Sequence, residues 1–82
     1  MNETSAREVV VTALGDVAPE IDVDTLDPGT SLRNGADLDS MDFLAYVAAV
    51  SDALGVDIPE DDYDRLDTLT GAVAYVVEVS PG

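Results

Sequence analysis

The chain has no cysteine, no histidine and no lysine among its 82 residues. Without cysteine there are no disulfides and no thiol chemistry. Without histidine or lysine the usual bases that activate a serine are missing, which excludes autonomous serine catalysis. Positive charge is scarce: Arg7, Arg33 and Arg65 stand against 18 acids, for a formal net charge of -15. That balance argues against binding nucleic acid or an anionic membrane, and favours basic protein surfaces as partners. It also keeps a protein soluble through self-repulsion. No apolar run approaches a membrane span. The opening "MNETSAREVVV" lacks a basic region followed by an apolar stretch, so no signal peptide is expected. The expectation is a cytoplasmic, monomeric protein.

The hydrophobic fraction, 46%, is too high for a disordered acidic tail. The length suits one small domain, residues 1–82. Ala6, Val9, Val10, Ala13, Leu14 and Val17 recur at helical spacing and predict a first helix from about Thr4 to Val17. Residues 18–39 are rich in proline, glycine and small polar residues and read as a long loop. Ile21, Val23, Leu26, Leu32 and Leu38 can pin that loop to a core. A second helix is expected from Asp39 or Ser40 to Leu54, with Gly55 as its stop. Pro59 opens a short acidic turn of helix. A last helix is expected from about Thr68 to Val77, with Leu69, Val73, Val76 and Val77 facing inward. Gly71 in its first turn weakens it slightly. The fold class is all-α: a small four-helix bundle of three longer helices and one short one, with a long first loop.

The second helix carries two apolar stripes. Phe43, Tyr46, Val47, Val50 and Leu54 form one, which reads as core. Met41, Leu44, Ala45 and Ala48 form another. Either the long loop covers this second stripe, or it is an exposed patch for a partner.

The acids suit a solvated surface better than a metal site. "DVDTLDPG" superficially resembles a calcium loop. Leu26 and Thr30, however, occupy the fifth and ninth ligand positions counted from Asp22, and no glutamate stands at the twelfth. No dedicated metal site is expected, and weak nonspecific divalent binding is the most the spacing supports. A glycosidase built on paired carboxylates needs a larger cleft than 82 residues provide.

Ser40 stands at the predicted helix start between Asp39 and Asp42. It reads either as a plain helix cap or as a passive hydroxyl that another enzyme activates. "LDSMDFL" (38–44) resembles the attachment motif of acyl carrier proteins. "LDPGTSL" (26–32), "LGVDIPEDD" (54–62) and "LDTLTGAVAYV" (66–76) resemble further segments of that family, in order and at fitting spacing.

The resemblance implies that a phosphopantetheinyl transferase attaches 4'-phosphopantetheine to Ser40, and that the thiol of this group holds acyl groups as thioesters. Asp37, Asp39, Asp42, Glu60, Asp61 and Asp62 are expected to dock basic surfaces of acyl-loading and acyl-processing enzymes, with Met41, Leu44 and Ala48 as the apolar part of that surface. Phe43, Tyr46 and Val47 are expected at the acyl pocket. The chain itself is then a carrier and not an enzyme, with no catalytic residues of its own.

Ala45 and Ser51 stand where fatty-acid synthase carriers are often acidic. Asp39 before the serine favours an acyl over a peptidyl carrier. The start methionine, the size and the brief tail suggest a free-standing protein serving fatty-acid, polyketide or other specialised biosynthesis. The competing readings are an aminoacyl or peptidyl carrier, and an unmodified acidic interaction protein.

Overall fold

The computed structural model describes residues 1–36 and 38–80; Asp37, Pro81 and Gly82 lie outside the described residues. Helix α1 spans Glu3–Val17 and is capped by Asn2, whose side chain accepts the Ser5 N–H at 2.8 Å. Helix α2 spans Ser40–Leu54, a 3-10 segment spans Glu60–Leu66, and helix α3 spans Leu69–Val79. The all-helical architecture is the expected one, with the short third helix wound as 3-10. Pro59 sits just before its first residue rather than within it.

The core follows from one face of each helix. Helix α1 buries Ala6, Val10, Ala13 and Leu14, and packs against both α2 and α3. Helix α2 buries the whole expected stripe: Phe43, Tyr46, Val47, Val50 and Leu54. The long loop contributes Leu32 and Leu38 to the same core, while Ile21, Val23 and Leu26 pack partly buried against it. Each apolar residue of the loop therefore anchors a segment whose backbone would otherwise remain loose.

Helix α3 departs from expectation. Its buried residues are Leu69, Ala72, Tyr75 and Val76, whereas Val73 is half-buried and Val77 exposed. The reason is the amphipathic character of tyrosine. The Tyr75 hydroxyl donates to Asp62 Oδ2 at 2.8 Å, so the ring can bury while its polar end is satisfied. That turns the inner face of α3 toward Tyr75 and away from Val77. The capping residue is Thr68, whose hydroxyl accepts the Gly71 N–H at 3.0 Å.

Gly71 is more than a weak point in a helix. A Cβ at that position would stand 2.6 Å from the Arg65 carbonyl oxygen and 2.9 Å from Thr68 Oγ1. The end of the 3-10 segment and the start of α3 approach too closely for any side chain there. At the other end of α2, Gly55 adopts φ +67, the left-handed turn that ends the helix. The Ser51 hydroxyl donates to the Val56 carbonyl across that turn.

Candidate functional site

Ser40 is the first residue of α2, and it is exposed. The cap is supplied by Asp39, whose carboxylate accepts the Asp42 N–H at 2.8 Å. Of the two capping candidates the structure selects Asp39, so the Ser40 hydroxyl is not consumed in holding the helix start. Asp39 is exposed and Asp42 half-buried, so two acids frame the hydroxyl within the first turn.

The position of Ser40 is set by the loop before it. Leu38 is buried, and its N–H donates to the Leu32 carbonyl at 3.0 Å. The Leu32 N–H donates to the Asp67 carbonyl at 2.6 Å, and the Thr70 N–H donates to the Pro28 carbonyl at 3.1 Å. The loop is thus sewn to the junction between the 3-10 segment and α3.

The Asp67 side chain closes the same junction. It accepts the Ser31 hydroxyl at 2.5 Å, the Arg33 N–H at 3.2 Å and Arg33 Nε at 3.0 Å. Partial burial pushes this carboxyl up, but the hydrogen bonds from Ser31 and Arg33 outweigh it. Asp67 therefore titrates below the usual carboxylate range. Arg33 also donates from Nη2 to Asp64 Oδ1 at 2.9 Å, and its guanidinium lies over the Phe43 ring, 4.6 Å from the centroid.

Beside Ser40 the second stripe of α2 is open. Met41 is 81% and Leu44 51% exposed, with Ala45 and Ala48 exposed as well. The long loop does not cover them; it packs on the 3-10 and α3 side instead. Glu60 and Asp61 are exposed, whereas Asp62 is half-buried and already accepts the Tyr75 hydroxyl. Burial raises the Tyr75 hydroxyl first, and the Asp62 hydrogen bond and charge add to it, pushing it up to about 12.

The three expected pocket residues share the buried face of α2, but they do not jointly border a cleft. A cleft of about 410 Å³ runs along α2, lined by Leu44, Val47, Ala48, Ser51, Asp57, Ile58 and Tyr63. Of the expected trio only Val47 borders it. Phe43 is buried beneath Arg33, and Tyr46 is fully buried with its hydroxyl donating to the Leu66 carbonyl at 3.1 Å. Burial, followed by the nearby Asp67 charge, raises the Tyr46 hydroxyl. Both rings lie on the inner face because they complete the core, tilted 58° to one another with centroids 5.8 Å apart.

Sequence reasoning missed Ser51, Ile58 and Tyr63 as cleft residues, and missed the Ser31–Arg33–Asp67 junction altogether. The available signal was slight: one of only three arginines lies in the loop, and an aspartate directly precedes the last helix's cap. Among the described residues no three Asp or Glu side chains converge as a metal site. No helix among them is long and apolar enough to cross a membrane.

A small acidic helical bundle that presents a serine at a capped helix start, and supplies no base for it, suits a protein that others modify and use. Comparison with known proteins agrees. The family described as "Phosphopantetheine attachment site" matches residues 8–76. The acyl carrier protein of Lactobacillus johnsonii is 33% identical over 73 residues, covering 85% of this chain and 91% of that relative. That of Lactobacillus acidophilus is 32% identical over 57 residues, 70% of this chain and 71% of the relative. That of Zymomonas mobilis is 30% identical over 80 residues, 95% and 96% of the two chains. No solved structure matches.

The chain belongs to the acyl carrier protein family, with a phosphopantetheine-attachment domain. Its cofactor is covalently attached 4'-phosphopantetheine. The residues present fit such a group: Ser40 is exposed, its helix is capped by a neighbour, and both anchors of the preceding loop are buried.

Proposed function

We propose that Ser40 is the residue that bears the phosphopantetheine, and that residues 1–82 act as a single acyl carrier domain for fatty-acid, polyketide or other specialised biosynthesis. The observation that carries this reading is the exposed Ser40 hydroxyl at the first position of α2, freed from capping by Asp39. One contiguous core across all four helical segments supports the single domain.

The Ser40 oxygen attacks the coenzyme A phosphorus that bears the pantetheine, and the pyrophosphate P–O bond breaks to release adenosine 3',5'-bisphosphate. A base on the phosphopantetheinyl transferase takes the serine proton, since this chain has neither histidine nor lysine. When bound, the group supplies a thiol on a flexible arm, where acyl groups are held. This chain's own residues position the arm and dock the enzymes that use it; they are not themselves catalytic.

Docking joins charge and apolar contact. Asp39, Asp42, Glu60, Asp61 and Asp62 attract basic partner surfaces, and Met41, Leu44 and Ala48 supply area to bury. Asp37, expected in the same cluster, lies outside the described residues. Copies of a chain with a net charge of -15 repel one another, which favours a monomer, and a cytoplasmic setting suits its partners.

The test is intact mass after incubation with coenzyme A and a broad-specificity phosphopantetheinyl transferase. The wild type should gain one phosphopantetheine and Ser40→Ala none. A wild type that gains nothing returns the chain to an unmodified acidic interaction protein.

A further inference from the structure

Arg33 is held beside the turn that contains Ser40 by two independent features of the fold. The first is the backbone. Leu38, two residues before Ser40, donates to the carbonyl of Leu32, the residue just before Arg33. The second is the Phe43 ring. Phe43 lies three residues after Ser40, so the two share one helical turn. Helical side chains lean back toward the N-terminus, so the ring lies over the turn of Ser40, and the guanidinium lies on that ring, 4.6 Å from its centroid. The other arginines are placed elsewhere: Arg7 on α1, and Arg65 paired with Glu78 over the Tyr75 ring.

The two arms of Arg33 are held very differently. Nε donates to Asp67, whose side chain is only 14% exposed and is also fixed by the Ser31 hydroxyl. Nη2 donates to Asp64, whose side chain is 87% exposed. An ion pair with so solvated a partner is weakly held and easily exchanged. Attachment of a phosphodiester at Ser40 adds a negative charge beside Asp39 and Asp42, in a chain already at -15. A guanidinium pairs well with phosphate through its forked N–H donors, and Arg33 is the arginine tied to the start of α2 through the Leu38–Leu32 bond and the Phe43 ring.

We propose that, once phosphopantetheine is attached at Ser40, Arg33 keeps its Nε bond to Asp67 and turns its Nη edge from Asp64 to the phosphodiester. Arg33 is then a positioning residue: it anchors the root of the arm to the loop and offsets charge at the helix start. Asp64 returns to water, where it already largely sits. The inference rests on Ser40 as the attachment residue.

The test uses the intact protein before and after loading, with loading verified by mass. Three arginines give three Nε–Hε cross-peaks in a nitrogen-15 spectrum. On loading, the Arg33 cross-peak should shift while those of Arg7 and Arg65 stay in place. The phosphorus-31 resonance of the loaded protein should differ from its position in the urea-unfolded loaded protein. Arg33→Gln should move that resonance toward the unfolded position, and Arg33→Lys should restore part of the difference. Asp64→Asn removes only the exchangeable partner and leaves the Asp67 tether, so its loaded resonance should match the wild type. Should Arg33→Gln loosen the loop, the wild-type and Asp64→Asn spectra still decide the matter. Mass gain with an unmoved Arg33 cross-peak and an unfolded-like phosphorus resonance overturns this inference alone. A wild type that gains no mass overturns the Ser40 reading and this inference with it.

Discussion

Leu44→Glu separates a partner-facing surface from a buried one. Full burial of a leucine side chain is worth about 1.5–3 kcal/mol. Leu44 is 51% exposed, so at most about half of that, roughly 0.7–1.5 kcal/mol, is at stake in the free protein. Leucine and glutamate have similar helix propensities, so the backbone adds little. In a domain of this size 1 kcal/mol shifts Tm by about 4–8 °C, so the expected loss is below about 12 °C. Leu14→Ala gives the contrast: Leu14 is fully buried, and such a truncation costs about 2–5 kcal/mol. If a partner buries Leu44, the same substitution forfeits its contact and places a charge in the interface. Loss of about 1.4 kcal/mol or more then lowers kcat/KM at least tenfold. Ala53→Glu controls for added charge: Ala53 is exposed, and nine residues on from Leu44 it lies on the opposite side of α2. Thermal melts and initial rates of loading and acyl transfer give both readouts. A melting loss as large as that of Leu14→Ala, or rates equal to the Ala53→Glu control, would refute the reasoning.

The remaining substitutions probe charge and packing. Asp39→Lys or Asp42→Lys should slow loading more than Asp16→Lys, and the difference should shrink as salt rises past the roughly 10 Å screening length reached at 0.1 M; equal effects at all three positions would speak against a localised docking face. Because the folded Asp67 carboxyl titrates below its unfolded range, its contribution to stability is present above the unfolded pKa and lost as pH falls through the folded one. The stability gap between wild type and Asp67→Asn, followed by denaturant melts, should therefore be widest near neutrality and close in acid; a gap independent of pH would contradict that. Gly71→Ala should destabilise by about 1–3 kcal/mol through overpacking against the Arg65 carbonyl, although alanine is the better helix former by about 1 kcal/mol, and a rise in Tm would show that the close approach is not rigid.

Much of this fold is legible in the sequence because α1 and α2 obey simple periodicity. Ala6, Val10, Ala13 and Leu14 repeat at helical spacing and bury together, and the whole Phe43-to-Leu54 stripe does the same. Helix α3 was harder to read because Tyr75 buries only through a hydrogen bond to Asp62, a partner thirteen residues away. The same limit hid the junction around Asp67, which joins residues more than thirty apart through polar contacts that leave no periodic trace. Ser40 was visible because its setting is local: an aspartate cap directly before it and an aspartate two residues after. The family resemblance implies an acyl pocket at Phe43, Tyr46 and Val47; in the structure Tyr46 reaches the Leu66 carbonyl and Phe43 lies under Arg33. Which of the buried rings borders a cleft depends on where the chain returns after Gly55, which α2 alone does not specify.

One particular hydroxyl, that of Ser40, is proposed to bear the prosthetic group. The chain has five serines, Ser5, Ser31, Ser40, Ser51 and Ser80, and two of them are committed to hydrogen bonds within the fold: Ser31 to Asp67 and Ser51 to Val56. The most direct measurement is fragmentation mass spectrometry of the protein loaded from coenzyme A, localising the added phosphopantetheine along the chain. A single modified residue, Ser40, is expected. Added mass at any other serine, or spread over several, would contradict it.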